Sequence, residues 1–177
     1  MRHLLFAAAI MAVATPAFAQ DRLPITLAPE QAITLRLDES GATLARENPG
    51  RAEWTPFDLA VARHLSGITP PKEPAAATAL PNDGSMPAAP AVQPGRLRIR
   101  FLSIAGQHSI LILENGYDRG ILFRARMTRD GDTRPTDVCL LVPMQHGFEH
   151  WPHPIDRIEI SDIRFVPWRR GDPVPCA

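Results

Sequence analysis

The chain has 177 residues, with 19 basic and 19 acidic side chains and a formal net charge of zero. That balance supplies no field to steer the protein towards nucleic acid or an anionic membrane surface. Beyond the first residues no apolar run approaches the roughly 20 positions that a membrane-spanning helix requires, and two cysteines are too few for a small disulfide-dense scaffold.

Residues 1–19 read as a cleavable export leader. Arg2 forms a short basic start, an apolar run follows from Leu4 to Ala14, Pro16 breaks it, and Ala17-Phe18-Ala19 is a small-x-small cleavage site ahead of Gln20. Gln20 is not a lipidation cysteine, and a lone Arg2 in place of a twin-arginine pair points to the general secretory route. The expected destination is the periplasm or beyond, with a mature chain carrying 18 basic and 19 acidic groups. In such an oxidising compartment Cys139 and Cys176, which do not form C-x-x-C, are expected to pair as a structural disulfide that pins the proline-rich tail.

Composition divides the rest into three pieces. Residues 20–65 are expected to supply strands and one short helix that dock on the core. Ile33, Leu35 and Leu37 alternate, so a strand is predicted over about 31–38. Thr55-Pro56-Phe57-Asp58 has a cap, a proline at the first turn and an acid three residues on, so a helix is predicted at 56–65 with Gly67 as its stop. Phe57, Val61 and Leu65, four apart, are its expected buried face. Residues 66–95 hold seven prolines and seven alanines and read as a disordered or polyproline-like linker.

Residues 96–177 are expected to form the main β-sandwich domain. Leu97, Ile99 and Phe101 alternate with Arg96, Arg98 and Arg100, the period of a half-buried strand. The phase slips at Leu102, which suggests a bulge or a strand that changes sheets. Ser109–Leu113 is apolar on both faces and suits a central strand. Strands are also predicted around Ile121–Met127, near Thr136–Val142 and over Arg157–Val166, with turns at Asn115-Gly116 and Asp130-Gly131-Asp132 and a bulge at Ser161-Asp162. The fold class is therefore mostly β: a small antiparallel sandwich, immunoglobulin-like or jelly-roll-like, with one short helix.

Candidate sites are sparse. His146, His150 and His153, with Met144 or Glu149 assisting, are suitable donors for copper or zinc. Gly147, Pro152 and Pro154 oppose the helix that would align them, and a core-capping loop is the competing reading. Arg96, Arg98, Arg100, Arg124 and Arg126 would make a basic stripe if their strands shared a sheet, against ordinary pairing with Asp156, Glu159 or Asp162. Tyr117 and Trp151, with Trp168, are candidates for a sugar-stacking face, Arg124 and Arg126 flanking it, against simple core filling. Glu114–Asp118 lacks the ligand series of a calcium loop and reads as a turn. No nucleophile elbow, S-x-x-K or phosphate-cradling glycine loop occurs. The sequence thus leads to a non-enzymatic binding or structural module of the envelope with a protein or glycan partner and no cofactor. A copper- or zinc-binding protein, and an enzyme acting on envelope glycan or peptide without a recognisable motif, are the alternatives.

Overall fold

A computed structural model describes residues 23–68, 80–81 and 83–176. The leader read over residues 1–19 lies outside the described residues, as do 69–79 and 82 of the Pro/Ala-rich segment. Among the described residues nine strands and one helix follow in order: β1 (Ile25–Leu27), β2 (Gln31–Leu37), β3 (Thr43–Arg51), α1 (Pro56–Ser66), β4 (Leu97–Ile104), β5 (His108–Asn115), β6 (Gly120–Arg129), β7 (Asp132–Thr136), β8 (Gln145–Trp151) and β9 (Arg157–Val166). They build a four-stranded sheet in the order β1-β9-β6-β7 and a five-stranded sheet in the order β3-β2-β4-β5-β8. Every pair is antiparallel. The N-terminal strands are woven into both sheets, β1 beside β9 and β2 between β3 and β4.

The two sheets face each other across a core drawn from both, with Leu35, Ile99, Phe101 and Leu111 on one side and Ile121, Phe123, Ile158 and Ile160 on the other. Each such side chain contributes about 1.5–3 kcal/mol when taken fully from water. A second apolar layer lies on the other face of the five-stranded sheet, where Leu59 and Ala62 of α1 meet Ala32, Leu102, Ile104, Ile110 and Ile112. The five-stranded sheet is therefore covered on both faces. That explains the run Ile110–Leu113, whose odd members enter one core and even members the other.

The same layering corrects the reading of the slip at Leu102. β4 pairs with β5 from Leu97↔Asn115 to Ile104↔His108 without a register shift, so there is no bulge and no change of sheet. Leu102 and Ile104 are apolar because α1 covers their face. A real bulge occurs where Ser161-Asp162 predicts one: the β6–β9 register shifts between Leu122 and Arg124, and Asp162 has φ 52°. The strand expected near Thr136–Val142 is displaced. Asp132–Thr136 pairs with β6 through a turn whose Asp130 and Gly131 both have positive φ, the conformation that a two-residue hairpin demands. Residues 137–142 make isolated bridges instead, Ile121↔Leu141 and Cys139↔Cys176.

Three strands, β1, β3 and β8, have no counterpart among the strands predicted above. β3 is mostly exposed and contains Pro49, and β7 contains Pro135; both are edge strands, where a missing N–H is tolerated and unwanted pairing is blocked. β8 replaces the loop expected over 144–154 and is described below.

Helix α1 begins as its sequence requires. Thr55 Oγ1 accepts from the Asp58 N–H, the Asp58 carboxylate accepts from the Thr55 N–H, and Gly67 closes the helix at φ 68°. Its buried face is not the one expected. Leu65 is exposed and Phe57 and Val61 are only half-buried, whereas Asp58, Leu59, Ala60 and Ala62 are buried. The reason is Arg100. This arginine is 1% exposed on the helix-side face of β4, forks onto the Asp58 carboxylate, and donates to Glu114 Oε1 (2.9 Å) and to the Glu53 carbonyl (2.9 Å). Asp58 thus caps the helix and binds it to the sheet.

Cys139 and Cys176 form the expected disulfide. The Leu140 N–H donates to the Pro175 carbonyl beside it, so the tail is tied by a hydrogen bond as well. In the chain-entropy picture a loop of this span stabilises the fold by up to about 4 kcal/mol.

Candidate functional site

The histidine-bearing segment is an edge strand, and its alternation sorts its side chains into two environments. Trp151, Glu149 and Gly147 point into the sandwich. Trp151 is a core residue whose Nε1–H donates to Thr136 Oγ1 (2.9 Å). Glu149 accepts the Cys139 N–H (2.9 Å), and its carboxyl is pushed above the ordinary glutamate value chiefly by burial, with Asp137 adding repulsion and the Cys139 N–H opposing. At Gly147 an added Cβ would lie 2.4 Å from Leu141 Cδ2. The glycine that argued against a helix is therefore where the strand passes the core leucine.

His146, Phe148 and His150 occupy the opposite face, across from Glu114, Ile112 and Ile110 of β5. His146 and Phe148 stack with centroids 6.3 Å apart, and Phe57 of α1 stands edge-on to both at 5.6 and 5.9 Å. The Nε2 of His146 is buried without a hydrogen-bond partner. These rings, with Ala91, Val92 and the exposed Met144, line an open groove of about 530 Å³. Farther along the strand, His150 Nε2 lies 2.9 Å from Nδ1 of His108 on β5. Burial lowers the His150 pKa, and the neighbouring His108 lowers it further, so this half-buried imidazole favours its neutral form.

The structure therefore separates the three histidines proposed as one set. His146 packs against Phe57, His150 meets His108, and His153 lines a cleft of about 410 Å³ with Met127, Arg129, Asp130, Asp132 and Arg134 beside the β6–β7 turn. Among the described residues no group of three or more histidine, cysteine, aspartate or glutamate side chains is arranged to hold a metal ion. His108 was not a candidate from sequence, because its partner lies 42 positions away and only the β5–β8 register brings them together.

The arginine stripe does not form. β4 and β6 belong to different sheets. Arg96 pairs with Glu47 (2.9 Å), Arg98 lies 3.7 Å from Glu114, and Arg100 is buried in its ion cluster. Arg124 lies 3.6 Å from Asp162 in an exposed cross-strand pair, whereas Arg126 only faces Glu159 in register, the Glu159 carboxylate lying 3.5 Å from Arg157 on its own strand. The aromatic candidates are dispersed as well. The Tyr117 hydroxyl accepts the Leu37 N–H (2.8 Å) and its ring meets Phe165 edge-on, while the Trp168 Nε1–H donates to the Pro173 carbonyl (3.2 Å). No ring contact among the described residues joins Tyr117, Trp151 and Trp168.

Glu114–Asp118 is a turn built around Asn115. The buried Asn115 amide donates to the carbonyls of Arg119, Leu141 and Val142, and its oxygen accepts the Tyr117 N–H. Gly116 admits the end of the Pro/Ala-rich segment: the Gly95 N–H donates to the Gly116 carbonyl, and a Cβ on Gly116 would strike the Gln93 carbonyl. Among the described residues no helix is long and apolar enough to cross a bilayer. The chain matches no protein-family model, no curated protein and no solved structure.

Proposed function

We propose that this chain is an exported module of the cell envelope that binds or supports another envelope component, a protein or a glycan, without chemistry of its own. Two features support the location. The first nineteen residues have the order of charge, apolar run, breaker and small-x-small site that secretory leaders share. The Cys139–Cys176 bridge belongs to an oxidising compartment. The binding role rests on one observation: Phe57 of α1 joins His146 and Phe148 of β8 around an open groove, on a strand anchored by core contacts beneath it. Aromatic side chains fixed on a rigid scaffold lose little entropy on association and are the residue types that dominate binding energy.

The test places a photo-crosslinking amino acid at position 57 or 148, and at position 126 on the outer face of the other sheet as control, at native expression. The expected result is a discrete adduct from 57 and 148 alone, with protease sensitivity of the captured mass separating protein from glycan. Adducts that are absent, or equal at all three positions, defeat the binding role. Mass spectrometry of the native protein tests the location, where a chain starting at Gln20 and oxidised at both cysteines is expected. An intact leader with two free thiols defeats it.

A further inference from the structure

We infer that His108 and His150 form a two-imidazole site for copper(II), separate from the Phe57–His146–Phe148 face and independent of the binding role proposed above. The two nitrogens, His108 Nδ1 and His150 Nε2, face each other at 2.9 Å on neighbouring strands. Both rings are half-buried, which leaves room for approach from solvent. Two neutral imidazoles so placed can share one proton, and the nitrogen lacking it has a lone pair to give.

Ligand number and type favour copper(II). No third histidine, cysteine, aspartate or glutamate joins the pair as a ligand group among the described residues, and zinc sites normally draw three or four protein ligands. With nitrogen donors alone, copper(II) stands highest among the first-row divalent ions. The ion would lie off the line joining the nitrogens, so both rings turn about their side-chain torsions to aim at it, and solvent fills the remaining positions. The shared proton moves to the far nitrogen of its own ring, so a neutral pair binds copper without net proton release.

The test titrates copper(II) into the full chain carrying His3→Ala, because a histidine third from a free amino terminus is itself a copper chelator. One copper per chain is expected, with pulsed electron paramagnetic resonance showing two coordinated imidazoles. His108→Phe and His150→Phe, which keep an aromatic ring in place, are each expected to weaken binding by about tenfold or more. His146→Phe and His153→Phe are expected to leave it unchanged, and zinc(II) is expected to bind more weakly than copper(II). Spectra with fewer than two imidazoles in the unsubstituted pair overturn the site whatever the variants do. Unchanged affinity after either replacement in the pair, or loss from His146→Phe or His153→Phe instead, also overturns it. Equal affinity for zinc overturns the assignment to copper.

Discussion

β4 and β6 look alike in sequence, each alternating apolar residues with arginines, yet the structure treats their arginines in opposite ways. On β6 Arg124 and Arg126 project from the four-stranded sheet into solvent, with Arg124 in an exposed pair with Asp162. On β4 Arg100 is enclosed between sheet and helix with Asp58 and Glu114. An alternating pattern says which residues share a face. It does not say whether another element will cover that face, and here α1 covers one sheet and leaves the other open.

The difference is exposed most sharply by truncation. Arg100→Ala leaves the buried Asp58 carboxylate without its counter-charge and Glu114 with only the 3.7 Å contact to Arg98, and is expected to cost about 3–5 kcal/mol in chemical denaturation. Arg126→Ala on the open face should stay within about 0.5 kcal/mol. Comparable losses at the two positions would mean that burial beneath α1 is not what separates them. Replacing Arg100, Asp58 and Glu114 together by apolar residues of similar volume should recover much of the loss, less about 1 kcal/mol for the helix cap that Asp58 provides.

A Cys139→Ser, Cys176→Ser double variant tests whether covalent anchoring of the tail ranks below the ion cluster. The expected loss is about 2–4 kcal/mol. Gly41→Ala tests the corner where the β2–β3 turn meets β9. Gly41 has φ 93°, an added Cβ would lie 2.2 Å from the Phe165 N, and the Phe165 N–H donates to the Ser40 carbonyl. A loss of about 1–3 kcal/mol is expected from backbone strain and displacement.

Glu149→Gln gives the smallest change and one of opposite sense. Burial raises the carboxyl pKa in the folded state, so as pH rises the unfolded chain ionises first. The folded state loses stability from the ordinary glutamate range up through the raised value. Glutamine keeps an acceptor for the Cys139 N–H and carries no charge, so the variant should lack that decline and be no less stable at neutral pH. A steeper pH dependence in the variant would contradict this reading of Glu149.

Local chemistry was legible wherever one short segment determines the outcome. The Thr55–Asp58 cap, the Asp130-Gly131 turn, the Asp162 bulge and the doubly apolar β5 all follow from residues within a few positions of one another. β3 escaped notice because an edge strand buries few side chains and shows little hydrophobic alternation. β8 was obscured by Gly147, which reads as a break until Leu141 is seen against it. The burial of Asp58, the covering of Leu102 and the meeting of His108 with His150 depend on long-range pairing, which no local period encodes.

The interleaving of the N-terminal strands has a consequence for the chain as a polymer. A single cut within residues 69–79 severs one peptide bond but none of the pairings of β1 with β9 or β2 with β4, nor the fork of Arg100 on Asp58. The two fragments should therefore remain one particle after cleavage, and should reconstitute it when supplied as separate halves, each incomplete without strands from the other.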